Sequence, residues 1–103
     1  SAVEAAVLRD PAFEQAMVVG DGRAYPVLLA VSEVGDDREL LRRANARLSE
    51  LPRWAKLRQV VRAQEPWSVA NGLLTPTQKL KRPRIVERYR TEIDAAYRRG
   101  PKD

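Results

Sequence analysis

Residues 71–83 read NGLLTPTQKLKRP, a run that carries more conformational restrictions than an ordinary linker. The dipeptide Asn-Gly at 71–72 favours a tight turn because both residue types tolerate a positive φ. Pro76 fixes its own φ and pushes Thr75 towards an extended conformation. Pro83 suits the first turn of a helix, where the N–H that proline lacks has no partner. The run therefore predicts a short, defined loop that holds two lysines in front of a helix.

Working outward from this run, apolar periodicity and turn signals divide the rest of the chain into further elements. Helices are predicted where apolar residues recur at helical spacing, over 2–8, 36–51 and 83–98. Strands are predicted in short apolar runs, over 15–19, 24–31 and 58–64, with an Asp-Gly hairpin signal between the first two. A small hairpin is predicted over 67–74. Together these elements predict an α+β fold, a small, mostly antiparallel sheet with flanking helices.

Some individual residues carry specific expectations. Pro26 should lie at the start of its strand or on a sheet edge, because proline cannot donate to a ladder. Asp36 can cap the helix that follows, with Glu39 completing a capping box. Trp54 is expected to pack against the core in the connector over 52–57. Trp67 is expected to be buried and to brace the lysine loop.

The composition excludes several kinds of chemistry. The chain has no cysteine and no histidine, so it carries no disulfide, no thiolate nucleophile and no imidazole base. No apolar run is long enough to span a bilayer, and the first residues do not form a signal peptide. The 103 residues fit a single domain, with a hydrophobic content of 44% that is normal for a globular fold.

The charge balance is basic, with 19 Lys and Arg residues against 14 Asp and Glu and a net charge of +5. An excess of this sign favours an anionic partner, such as a nucleotide, coenzyme A, an acidic carrier protein or a nucleic acid. A solvated surface that is rich in arginine explains the same balance equally well. The charge therefore leaves the partner open.

The run over 71–83, followed by RIVERYRTEIDAAY over 84–97, resembles the C-terminal end of long-chain fatty acyl-CoA synthetases. These enzymes belong to the acyl-adenylate-forming superfamily. The opening VEAAVLRDPAFEQAMVVGDGRAYPVLLAV over 3–31 is also similar to the small C-terminal domain of that family. The resemblance implies that residues 1–103 are one domain, a C-terminal lid and a fragment of a larger two-domain ligase.

The resemblance also implies a role for the loop. The family delivers one lysine to the adenylation site, and the Thr-Pro-Thr-x-Lys pattern places Lys79 in that catalytic position. Residues expected to support the loop are Gly72, Thr75, Pro76 and Thr77. Residues expected to contact phosphate are Lys81 and Arg82. Most of the superfamily has glycine directly before the lysine, whereas this chain has Gln78.

The implied partners and ligands follow from the same family. Fatty acid, ATP and coenzyme A would be substrates, with ATP and Mg²⁺ bound mainly by an N-terminal adenylation domain. No metal ligand is expected in this chain itself, which would be inactive alone. A cytoplasmic location is expected, with peripheral membrane attachment of the full-length enzyme as the alternative.

Two other functions remain open at this point. One is a ligase of the same superfamily whose acyl acceptor is a carrier protein rather than coenzyme A. The other is a small basic nucleic-acid-binding module, which would stack bases on aromatic residues of its sheet. The predicted strands offer only Tyr25 for that purpose, so no nucleic acid is expected.

Overall fold

The computed structural model describes residues 1–101. In chain order the elements are α1 (Ala2–Val7), β1 (Gln15–Val19), β2 (Val27–Val31), α2 (Asp37–Ala46), a 3₁₀ turn (Arg53–Ala55), β3 (Val60–Arg62), α3 (Arg82–Arg88) and α4 (Arg90–Arg99). Within the described range, no helix combines the length and the apolar content that crossing a bilayer requires. The predicted α+β class is confirmed.

The sheet has the strand order β1-β2-β3 and is mixed. β1 and β2 pair antiparallel, with Gln15 opposite Val31. β3 pairs parallel to β2, which the sequence did not reveal. All five residues of the central strand β2 are buried, as its nearly unbroken apolar run predicts. Pro26 lies directly before β2, which confirms the prediction that it begins the strand.

Two hydrophobic clusters cover the two faces of this sheet. Side chains alternate along β2, so that Leu29 joins one cluster and Leu28 the other. The first cluster includes Ile93 of α4 together with residues of α3 and of the run over 71–83. The second includes Leu40 of α2 together with residues of α1. The sheet is therefore a middle layer with helices on both sides.

The second helix differs from its predicted form at both ends. The Asp36 carboxylate accepts a hydrogen bond from the N–H of Arg38 at 2.8 Å, which confirms the N-cap. The prediction of a capping box is wrong, because the Glu39 carboxylate pairs with Arg42 instead of the backbone N–H of Asp36. The helix also ends at residue 46 rather than 51. Near this end the Asn45 side chain exchanges two hydrogen bonds with the Leu57 backbone, at 2.8 and 2.9 Å.

The predicted C-terminal helix over 83–98 is two helices that meet at Tyr89. This residue has φ −108° and ψ 17°, outside the helical region. The Tyr89 side chain is buried, and its hydroxyl accepts a hydrogen bond from Trp67 Nε1 at 3.2 Å. The break between α3 and α4 therefore lies at Tyr89, the residue that contacts Trp67.

The two tryptophans occupy opposite environments. Trp67 is 2% exposed, which confirms the prediction that it is buried beside the loop. Trp54 is 76% exposed, so the prediction that it packs against the core is wrong. Of the three residues in the 3₁₀ turn, only Ala55 is buried, so Ala55 rather than Trp54 faces the core.

This contrast predicts different costs for two alanine substitutions. Trp67→Ala should lower the free energy of unfolding by about 3–5 kcal/mol, because it empties a packed site. Trp54→Ala should change it by less than about 0.5 kcal/mol, because the side chain is in solvent. Urea unfolding of both variants measures the difference. Equal losses would contradict the burial described here.

Candidate functional site

Lys79 lies in a tight hairpin over residues 74–80, which we call the lysine hairpin. An antiparallel bridge between Leu74 and Leu80 closes it. The N–H of Thr75 donates to the carbonyl of Lys79 at 2.8 Å, and the N–H of Gln78 donates to the carbonyl of Thr75 at 2.8 Å. The hydroxyl of Thr75 also accepts the N–H of Lys79 at 3.0 Å. Thr75 thus forms hydrogen bonds at both ends of the turn.

Gln78 adopts a left-handed backbone conformation. Its φ is 69°, which makes it the one non-glycine residue with positive φ among residues 1–101. A turn followed by a left-handed residue is a common way to close a short hairpin. For a residue with a side chain this conformation costs about 1–2 kcal/mol. A glycine at position 78 would meet the same requirement without that cost.

The segment before the hairpin is a compact turn held by one side chain. Asn71 Oδ1 accepts the N–H groups of Ser68 and Leu73 at 2.9 and 3.3 Å. Asn71 Nδ2 donates to the carbonyl of Pro66 at 3.0 Å. Gly72 has φ 81°, a backbone conformation that favours glycine. The predicted hairpin over 67–74 is therefore wrong, because Asn71 folds the segment onto itself and the strand-like pairing begins only at residue 74.

The remaining predicted site residues lie around the hairpin tip. Pro76 and Thr77 are exposed, and the Thr77 hydroxyl is 3.2 Å from that of Thr75. Lys79 is exposed, and none of the ion pairs found within residues 1–101 involves it. Lys81 is half-buried, and its N–H donates to the carbonyl of Leu73 at 3.0 Å. The structure thus presents Lys79 outward and turns Lys81 partly towards the fold.

Arg82 makes a bidentate ion pair with a residue that sequence reasoning missed. Its Nη1 and Nη2 donate to the two carboxylate oxygens of Glu4 at 2.8 and 2.6 Å. Glu4 also accepts the N–H of Val18 at 2.7 Å, and its side chain is only 6% exposed. The signal in the sequence was a glutamate within an apolar helical turn, but its partner lies 78 positions away.

Two polar contacts hold the chain segments before and after the hairpin to β1. On one side, the Gln15 side chain donates to the carbonyl of Trp67 at 2.9 Å and accepts its N–H at 2.6 Å. On the other side, the Glu4 carboxylate bridges the N–H of Val18 and the guanidinium of Arg82. β1 is an edge strand, so the N–H of Val18 on its outer side is free to donate to Glu4.

A three-stranded mixed sheet with helices on both faces is the fold of the C-terminal domain of adenylate-forming enzymes. The chain belongs to the AMP-binding enzyme C-terminal domain family, whose model matches residues 1–100.

Known relatives share this domain over most of its length. The peroxisomal acyl-CoA ligase 891 of Penicillium roqueforti is 38% identical over 95 residues, which cover 84% of this chain. A chloroplastic long-chain-fatty-acid–[acyl-carrier-protein] ligase of Arabidopsis thaliana is 27% identical over 110 residues, which cover 92% of this chain. The chain spans 13% and 15% of the lengths of these two relatives.

Solved structures agree on the fold. The adenylation domain of a carboxylic acid reductase from Segniliparus rugosus, in complex with AMP and a co-purified carboxylic acid, superposes with a TM-score of 0.87. It is 24% identical, and the match covers 96% of this chain and 18% of that one. An acyl-CoA synthetase of Brucella canis matches with a TM-score of 0.58 and 26% identity, over 81% of this chain and 16% of that one.

The left-handed Gln78 predicts that Gln78→Gly stabilises the chain. Glycine adopts φ 69° without steric cost, so the gain should approach about 1 kcal/mol, reduced by the greater freedom of glycine in the unfolded chain. Gln78→Val should destabilise it, because a β-branched side chain tolerates positive φ least. Urea unfolding of both variants checks this. A loss of stability in Gln78→Gly would contradict the backbone geometry.

The environment of Glu4 predicts a dependence of stability on pH. Burial raises the pKa of Glu4, but hydrogen bonds from Arg82 and Val18 outweigh it and lower that pKa from 4.5 to about 2. A carboxyl whose pKa is lowered by folding stabilises the folded state above its unfolded pKa and loses this contribution as pH falls through the folded pKa. The difference corresponds to about 3 kcal/mol, lost between about pH 5 and pH 2.

The matched control for this prediction is Glu4→Gln, which keeps the shape and removes the titration. Unfolding free energies of both proteins, measured by urea titration at several pH values, should converge as the pH approaches 2. Other carboxylates contribute equally to both curves and cancel in the difference. Parallel curves over the whole range would show that Glu4 is not the group responsible.

Proposed function

We propose that this chain is the mobile C-terminal domain of an ATP-dependent fatty acid–CoA ligase, and that Lys79 supplies the ammonium group for adenylation. The observation that supports this most is the placement of Lys79 directly after the turn of a braced hairpin, exposed and outside every ion pair found within residues 1–101. A lysine held in this way can reach a reaction centre that a second domain provides.

The chemistry explains why an ammonium group is needed. Adenylation joins a carboxylate to the α-phosphate of ATP and expels pyrophosphate. Two anions must approach each other, and negative charge accumulates around phosphorus in the transition state. A cation that is already in position stabilises this charge, far more strongly in a closed site from which water is excluded than in bulk water. Lysine suits the role because it carries a compact charge on a long stem.

The rest of the machinery is assigned to the N-terminal adenylation domain. That domain would bind the fatty acid, ATP and Mg²⁺, and none of the described residues forms a group of carboxylates suited to a metal ion. After adenylation the C-terminal domain would move, withdraw Lys79 and form part of the channel for coenzyme A. Gating of this kind is a known use of a mobile domain. The isolated chain would therefore have no turnover.

A carrier protein is the alternative acyl acceptor. One relative is named as an acyl-carrier-protein ligase and aligns with 92% of this chain, which supports this variant of the same function. The basic surface suits an acidic carrier and the phosphates of coenzyme A alike. Competition between the two acceptors, assayed with the full-length enzyme, separates them.

Nucleic-acid binding is disfavoured by the layers of the fold. A sheet that stacks bases needs an open face with aromatic residues. Here hydrophobic clusters cover both faces within the described residues, and the exposed Trp54 lies outside the strands.

The test of the proposed function uses the full-length enzyme with Lys79→Ala. Acyl-adenylate formation should fall by about a hundredfold or more, because the transition state loses its positioned cation. Thioester formation from supplied acyl-adenylate should be retained, since Lys79 is withdrawn in that step. Lys56→Ala, which removes an exposed lysine elsewhere, is the matched control. An equal fall in both half-reactions, or no fall, would contradict the role of Lys79.

A further inference from the structure

The ion pair between Glu4 and Arg82 occupies both terminal nitrogens of the arginine. Each of the two donates to a different carboxylate oxygen, at 2.8 and 2.6 Å. The arginine side chain is 48% exposed, whereas the glutamate side chain is 6% exposed. A buried carboxylate that loses its partner is strongly disfavoured. Both terminal nitrogens of Arg82 therefore already bind Glu4, which makes Arg82 a poor candidate for the phosphate contact expected from the sequence.

The position of Arg82 restricts the position of the catalytic lysine. Only two residues separate Arg82 from Lys79, so their Cα atoms lie at most about 11 Å apart. Hydrogen bonds hold the intervening chain, because Lys81 donates to the carbonyl of Leu73 and Leu80 pairs with Leu74. A shift of Arg82 would therefore be transmitted to the hairpin.

Glu4 is itself fixed to the sheet. Its carboxylate accepts the N–H of Val18, the outward-facing donor of the edge strand β1. Helix α1 carries Glu4 and begins with a capping box in which Ser1 and Glu4 bond reciprocally. The connection runs from the edge of the sheet through one carboxylate and one guanidinium to the residue that opens α3. On the other side of the hairpin, Gln15 holds Trp67 to the same strand.

We propose that Glu4 and Arg82 are positioning residues for Lys79, which clamp the lysine hairpin to the edge strand so that the ammonium group reaches the adenylation centre in one orientation. The proposal rests on the proposed function. It assigns neither residue to contact with substrate. Its physical basis is that displacement of a catalytic group by about 1 Å can cost about a hundredfold in rate.

The chain offers a matched control pair on the face of the sheet opposite the lysine hairpin. Arg43 donates to Asp10 at 2.9 and 2.7 Å, and the aspartate side chain is 7% exposed. The chemistry and burial match those of the clamp. Asp10 also accepts the N–H of Ala12 and lies next to the second hydrophobic cluster, away from the lysine hairpin. Asp10→Asn should therefore destabilise the domain without displacing Lys79.

The experiment compares Glu4→Gln, Asp10→Asn and Lys79→Ala in the full-length enzyme. Glu4→Gln should lower acyl-adenylate formation by about ten- to a hundredfold. It should leave thioester formation from supplied acyl-adenylate within about twofold of wild type. Asp10→Asn should leave both half-reactions within about twofold. Arg82→Lys, which keeps the charge but loses the bidentate geometry, should give an intermediate fall in adenylation.

A second measurement on the 103-residue chain does not depend on activity. In Glu4→Gln, amide hydrogen exchange at Thr75 and Lys79, which close the hairpin, should speed up by about tenfold or more, and in Asp10→Asn it should not. The proposal is overturned if Glu4→Gln leaves adenylation and exchange unchanged, or if Glu4→Gln and Asp10→Asn lower both half-reactions alike. If Lys79→Ala leaves adenylation intact while Glu4→Gln speeds up exchange as expected, the proposed function is wrong. The structural part of the proposal, that Glu4 and Arg82 hold the hairpin to the edge strand, then still stands.

Discussion

The buried carboxylate of Glu4 connects α1 to Arg82, the first residue of α3. Glu4 is almost inaccessible to solvent and accepts hydrogen bonds from the edge of β1 and from Arg82. Because an unpaired charge in such a place is strongly disfavoured, the partners must stay where they are. The start of α3, and with it the segment that carries the lysine, is thereby fixed relative to the sheet. In the proposed positioning of Lys79, this interaction acts together with the hydrogen bonds that Thr75 and Asn71 make within the loop.

The lysine hairpin combines a stiff backbone with a free side chain. Thr75 bonds to both sides of the turn, and Gln78 takes a backbone conformation that few residues with side chains adopt. The ammonium group of Lys79 is exposed. Side-chain freedom at one position on a fixed support suits a group that must enter and leave a site formed by another domain. In the proposed ligase, the fixed support would place the lysine for the first half-reaction, and movement of the domain would withdraw it for the second.

Local signals in the sequence predicted the local structure well. The strand over 15–19, the Asp36 cap and the burial of β2 and Trp67 follow from patterns within a few residues. Features that depend on distant residues were not predictable in this way. The parallel pairing of β3, the break at Tyr89 and the pair formed by Glu4 and Arg82 each need contacts that the sequence does not display. Trp54 was misjudged because hydrophobicity alone does not say which side of a short turn faces the core. The catalytic role proposed for Lys79 rests on a family resemblance, since its spacing alone also fits an ordinary exposed lysine.

The most direct test of the central claim is chemical restoration of the ammonium group. The chain has no cysteine, so Lys79→Cys introduces a thiol that is unique within it, and alkylation with 2-bromoethylamine converts that thiol into a close analogue of lysine. In the full-length enzyme, with any other accessible cysteines replaced, Lys79→Cys should lack acyl-adenylate formation, and alkylation should restore most of it. Complete alkylation at residue 79 without recovery of adenylation would contradict the account.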